Sequence, residues 1–346
     1  MGGIDFSKGQ SYDGTIIDGG FIYANGPENI CNNLINTDAK GKCYVAIPLQ
    51  SGKTYEAEFY KWNYSSKTIR IGIGIKNDST TQQGSVTILK SAIMSGYVNE
   101  SNPSQYIGAD MCLSFMQSSL STNVTIPVRT SGNPTQGFKA LISQAVSGCK
   151  VINGRVRFRV NSGNLLKCKI FFVEDGSDWE KRAGLTSLIS INDLNLYDEA
   201  FEVPKTYYEQ GGSTGLYKYI QRYGPIGTEP QIFALGNGAG KVVTDKYNTD
   251  EFEEPEYTLP FERKGNMANW GILYTFYGTN PNAKKVKLTP LGKKLPAVYV
   301  VKENGIWKKV TATQLSPATL TLTGGTTFWF ILPGGNGGEV KIQYVE

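Results

Sequence analysis

The chain contains no histidine, so it lacks the side chain that most often serves as a general base near neutral pH and as a transition-metal ligand. Ser–His–Asp and Cys–His nucleophile sets are excluded, as are His-type zinc, copper and non-haem iron sites. What remains is carboxylate chemistry, a lysine or cysteine nucleophile, or no catalysis. The densest carboxylates lie in Asp250-Glu251-Phe252-Glu253-Glu254-Pro255-Glu256. Calcium needs only carboxylate, carbonyl and water oxygens, which makes Asp250, Glu251 and Glu253 the metal candidates. The run lacks the Asp-x-Asp-x-Asp-Gly spacing of a dedicated loop, and it also reads as a solvated acidic loop. Paired carboxylates hydrolyse glycosides without histidine, and Glu174, Asp175, Asp178 and Glu180 cluster around Trp179. No spacing singles out two that face each other across a cleft. Gly236-Asn237-Gly238-Ala239-Gly240-Lys241 carries part of a phosphate-loop pattern, but Leu235 stands where the first glycine belongs and Val242 where Ser or Thr must follow the lysine. No catalytic set is assigned, and the chain reads as a non-enzyme.

Two binding chemistries remain. Lys284, Lys285, Lys287, Lys293, Lys294, Lys302, Lys308 and Lys309 share a short region with one acid, Glu303. If Lys285 and Lys287 share a face with Lys308, the patch attracts polyanions such as wall polymers or acidic polysaccharide. Lysines also protect exposed edge strands from unwanted pairing. The row Arg155, Arg157 and Arg159 carries the same two readings. Trp270 and Trp329 lie in apolar strands and read as core, whereas Trp62 and Trp307 have polar neighbours and are the candidate carbohydrate-stacking residues. A net charge of +5 is too small to imply nucleic acid. The five cysteines form no CxxC pair. They read either as disulfides Cys31–Cys43 and Cys149–Cys168 with Cys112 free, or as buried thiols. Asn63-Tyr64-Ser65, Asn77-Asp78-Ser79, Asn99-Glu100-Ser101 and Asn123-Val124-Thr125 match the N-glycosylation triplet.

The elements that must position these groups are strands. Glycine and tyrosine are abundant, 40 and 20 residues against five methionines, which favours β-structure with tight turns. Thr54–Tyr60, Thr68–Ile75, Gly154–Val160 and Lys167–Val173 alternate polar and apolar residues, as half-buried antiparallel strands do. The stretch 150–173 reads as a hairpin, and Asn304-Gly305 between apolar runs is the sharpest hairpin signal. One short helix is expected near 178–190, with no long helix-period stretch elsewhere. The chain divides into an N-terminal extended segment (1–24), a first sandwich (25–175), a connection (176–215) and a second sandwich (216–346). The expected fold is all-β, with two tandem antiparallel sandwiches, jelly-roll-like or immunoglobulin-like. No apolar run approaches a membrane span, and no basic segment followed by an apolar stretch opens the chain.

Ile71-Gly72-Ile73-Gly74-Ile75-Lys76-Asn77, Gly265-Asn266, Asn269-Trp270-Gly271-Ile272-Leu273-Tyr274 and Leu332-Pro333-Gly334-Gly335 carry a family resemblance. Through them, residues 25–346 resemble a two-sandwich region of secreted proteins from Gram-positive thermophiles and spore formers. Those proteins are often labelled copper amine oxidase-like after a neighbouring domain. The resemblance implies an extracellular or cell-surface setting rather than an activity. Where that family has Asn-Pro-Arg-Gly-Gly, this chain has Thr289-Pro290-Leu291-Gly292-Lys293, and it offers no copper ligand set.

The expected function is a non-catalytic structural or adhesion protein, a homo-oligomer or polymer such as a filament or layer subunit. It would need no cofactor beyond the candidate calcium. Gly14–Tyr23 offers a strand for addition to a neighbouring subunit, or it is an ordinary strand of its own domain. The alternative is a carbohydrate-binding module or a carboxylate-dependent carbohydrate-active enzyme.

Overall fold

Alternating runs fold as strands in the computed structural model, which describes residues 5–7, 15–24, 28–99, 104–133, 135–190, 193, 215–217, 221–226, 231–233, 255–258, 271–278, 285–291, 296–322, 327–334 and 339–345. The first half contains β1 (Asp5–Ser7), β2 (Gly20–Ala24), β3 (Asn29–Ile30), helix α1 (Asn32–Ile35), β4 (Gly41–Pro48), β5 (Thr54–Asn63), β6 (Ile69–Asn77), β7 (Gly84–Tyr97), helix α2 (Ser104–Gln117), β8 (Thr122–Ile126), β9 (Phe138–Val146), β10 (Lys150–Ser162), β11 (Leu166–Glu174) and helix α3 (Trp179–Leu185). The second half contains β12 (Gly215–Tyr217), β13 (Gln221–Ile226), β14 (Gln231–Phe233), β15 (Pro255–Thr258), β16 (Leu273–Gly278), β17 (Lys285–Leu291), β18 (Ala297–Glu303), β19 (Ile306–Ala312), β20 (Ala318–Thr321), β21 (Thr327–Ile331) and β22 (Glu339–Val345).

The fold is all-β and sandwich-type, as the sequence predicts. In the first sandwich the sheet β15-β12-β2-β5-β10-β7-β8, with β3 added along β5, faces the sheet β4-β11-β6-β9. Ile71, Ile73, Ile170 and Phe172 from one sheet meet Ala57, Phe59, Val156 and Phe158 from the other. In the second sandwich, β1-β13-β16-β21-β18-β19 faces β14-β22-β17-β20. There Tyr274, Phe276, Phe328 and Phe330 pack on Val286, Leu288, Ile342 and Tyr344.

The sandwiches exchange strands across the expected boundaries at 24, 175 and 215. N-terminal β1 pairs with β13 in the second sandwich, while β12 and β15 extend the first. The candidate donor strand lies inside its own chain. Its residues Gly20–Tyr23 fall in β2, which runs parallel to β5 and pairs with β12 on its other side. Because strand side chains alternate, Ile22 and Ala24 enter the first core while Phe21 and Tyr23 enter the second. Hydrophobic burial on both faces holds the strand in place.

Two sequence expectations change, and the open choice between cysteine readings narrows to one. The stretch 150–173 is not a hairpin: β10 pairs with β5 and β7, whereas β11 pairs with β4 and β6. The Asn161–Asn164 turn therefore crosses from one sheet to the other. Helix α2 was not expected, because its apolar residues lack a single stripe. Ala109, Met111, Cys112, Phe115 and Met116 are all buried, since the helix is wedged between Ala92 of β7 and Val298, Val300 and Trp307 of β18 and β19. Of the two cysteine readings, the thiol one matches: all five are free, four of them buried and Cys149 exposed. The Asn304-Gly305 turn does close a hairpin, with both residues at positive φ (51° and 80°) and Glu303 opposite Ile306.

Candidate functional site

Acids and bases converge at the junction of the two sandwiches. Glu56 and Glu58 alternate along β5, Arg155 and Arg157 along β10. The antiparallel register sets Glu58 opposite Arg155 and Glu56 opposite Arg157. Such cross-strand pairs point out of the first core, and on most sheets they would face water. Here all four side chains are at most 2% exposed, because α2 and the second sandwich cover that face. Arg155 donates from Nε to Glu56 (2.5 Å) and from Nη1 to Glu58 (2.8 Å), and Arg157 Nε donates to the other Glu56 oxygen (2.8 Å). The Arg155 guanidinium lies 5.1 Å and 4.9 Å from the ring centroids of Phe21 and Phe115.

The same guanidinium reaches across the junction, donating to the Gly271 carbonyl at 2.9 Å. Gly271 has φ +73°, and an added Cβ would fall 2.6 Å from Glu58 Oε2, so only glycine fits this contact. A Cβ on Gly334 would fall 2.6 Å from Asn153 Nδ2 and 2.8 Å from the Tyr60 ring. Gly271 and Gly334, each from a second-half resemblance motif, thus sit against the polar face of the first sandwich. Lys309 pairs with Asp110 of α2, and Gln117 donates to the Trp307 carbonyl at 3.3 Å. This lattice welds the sandwiches together. It offers no exposed acid or base to a substrate, because each carboxylate is held by an arginine away from water.

Other ionisable groups mark tight packing. Burial pushes the Glu28 carboxyl up to about 7, with Lys61 opposing. Lys61 is itself buried, its ammonium 3.6 Å above the centre of the Tyr44 ring. Burial, reinforced by Lys169, lowers the Lys76 ammonium to about 8. Lys169 donates to the Thr186 carbonyl at 2.7 Å and to those of Ala183 and Gly184, fastening the end of α3 onto β11.

The structure separates the residues that the sequence grouped. Lys285 and Lys287 are exposed on β17, whereas Lys308 is on β19 in the opposite sheet and pairs with Glu303. Arg155 and Arg157 leave the surface-row reading: they are buried on a strand paired on both sides, and only Arg159 of the row is exposed. Trp307, expected at the surface, is 7% exposed and packs under α2. Trp62 is half-buried against Tyr64, with ring centroids 4.8 Å apart, and its buried Nε1 has no hydrogen-bond partner. Asp250, Glu251, Glu253, Trp270 and the Gly236–Lys241 loop lie outside the described residues. Among the described residues, no three Cys, Asp or Glu side chains converge as a metal site would require. Asn63 and Asn77 are buried at strand ends, where each amide oxygen accepts the backbone N–H two residues on (2.9 Å). These two glycosylation triplets are Asx turns.

The sequence reading missed Glu56, Glu58, Asp110, Gly271 and Gly334. A signal for the first two was present: acids spaced two apart on one alternating strand match bases spaced two apart on another.

Neither a protein-family model nor a curated protein matches the chain. Among solved structures, the CUB1-EGF-CUB2 domains of rat MASP-1 align with 91% of this chain and 100% of that chain, at 7% identity and a TM-score of 0.19. The laccase from Botrytis aclada aligns over 86% of this chain and 49% of its own, at 7% identity and a TM-score of 0.18. The multicopper oxidase Fet3p aligns over 85% and 51%, at 7% identity and a TM-score of 0.12. The chain thus spans about half the length of the two oxidases. Likeness at this level transfers neither a shared fold nor an activity to this chain.

Proposed function

We propose that this chain is a non-catalytic structural or adhesion protein of the cell surface or extracellular space, built to act as a subunit of a filament or layer. The observation that carries the reading is the weld between the sandwiches. β2 feeds both cores, α2 is wedged between the sandwiches, and the Glu56–Arg155–Glu58–Arg157 lattice reaches Gly271 across the junction. A stiff two-sandwich unit suits load-bearing assembly better than substrate-driven closure, which needs a hinge. Strand addition would then use an edge other than β2, such as β20, which has one strand neighbour in its sheet among the described residues. The alternative, a carbohydrate-binding module, retains only Trp62 of its two aromatic candidates.

Electron microscopy of the purified protein over a range of concentrations tests this reading. Filaments, sheets or ordered oligomers are expected. Dispersed single particles at every concentration would contradict it.

A further inference from the structure

We propose that the solvent face of the β14-β22-β17-β20 sheet docks a linear anionic polysaccharide, with Lys285, Lys287 and Lys341 as its cationic contacts. The inference rests on the surface-protein reading and names a partner for it. On β17 the apolar residues Val286 and Leu288 enter the second core, which turns Lys285 and Lys287 outward. On β22, Val340, Ile342 and Tyr344 enter the same core, which turns Lys341 outward as well. Lys285 and Lys287 are two residues apart, about 7 Å along the strand. Lys341 stands opposite Thr289, on the diagonal from Lys287. The three ammonium groups therefore form one row across two neighbouring strands.

Neither bland explanation for surface lysines applies here. Edge protection requires an edge strand, yet β17 pairs with β20 and β22, and β22 pairs with β14 and β17. Ion pairing requires an acid, yet none of the three lysines is paired with a carboxylate among the described residues. Glu303, which accepts the Thr321 N–H at one end of this sheet, is neutralised by Lys308. Glu339, opposite Leu291, adjoins only Lys341 at the end of the row and lies away from Lys285 and Lys287. Like charges set side by side on a sheet face cost stability unless something outside the chain neutralises them.

Thr319 and Thr321, both exposed, flank Lys287 and Lys285 on β20, and Gln343 stands opposite Lys287 on β22. Ammonium groups interleaved with hydroxyls and an amide suit a charged glycan, whose hydroxyls need donors and acceptors. The described side chains of this face include no arginine for bidentate phosphate contacts and no aromatic ring for base stacking.

The test is binding of the full chain to polygalacturonate, with neutral dextran and duplex DNA as comparisons. Polygalacturonate is expected to bind at low salt and to release as the screening length shrinks. The triple variant K285Q/K287Q/K341Q should weaken binding about 100-fold, roughly fivefold per lysine. It should melt no lower than the parent, because like-charge repulsion is removed. K308Q, on the other sheet, should bind as the parent does. Equal binding by the triple variant, equal retention of dextran, or tighter binding of duplex DNA would each overturn the proposal. Assemblies in electron micrographs without polygalacturonate binding would overturn the docking face and leave the surface-protein reading intact. Lysine-dependent binding by a protein that never assembles supports the docking face and removes the filament.

Discussion

Replacing Arg155 with methionine should lower stability by about 3–5 kcal/mol, because it strands buried carboxylates without their cation. Arg155 is the centre of the lattice: it holds Glu56 and Glu58 and crosses to the Gly271 carbonyl. Natural domains have only about 5–15 kcal/mol in total, so a large shift of the urea midpoint is expected. Net stabilisation by the lattice is a separate matter, since desolvating four charges consumes most of their mutual attraction. Converting the whole set together, Glu56 and Glu58 to leucine and Arg155 and Arg157 to methionine, should recover much of the loss. A single variant with an unchanged midpoint would show that the lattice does not join the sandwiches.

Deleting residues 1–24 should abolish folding altogether. Phe21, Ile22, Tyr23 and Ala24 are fully buried, and they divide between the two cores. Truncating one large core side chain costs about 2–5 kcal/mol, so losing the strand exceeds the stability of a typical domain. Gel filtration and circular dichroism should show aggregate or unfolded chain. Ile16→Asp, at a position 62% exposed, should behave as the parent. A soluble, cooperatively folded protein lacking this segment would restore the idea that the N-terminal strand is available to a neighbour.

Strand identity was legible because alternation with period two is local. The Asn304-Gly305 hairpin was legible for the same reason. The location of the solvent was not. Thr54–Tyr60 and Gly154–Val160 alternate like half-exposed strands, yet a second layer, contributed by α2 and the second sandwich, covers their polar faces. Helix α2 was hidden by the same packing, since a helix buried on several sides carries no stripe. Trp307 has polar neighbours in sequence but lies under that helix. Separating Lys285 and Lys287 from Lys308 required the strand order, which local sequence does not encode. Glu56 and Glu58 were readable only as a pattern complementary to Arg155 and Arg157.

The claim that the sandwiches form one welded unit is tested most directly by calorimetry of the full chain. It predicts a single transition in which the calorimetric and van't Hoff enthalpies agree, and which moves as a whole in the Arg155→Met variant. Two resolved transitions, with only one of them shifted by that substitution, would contradict it.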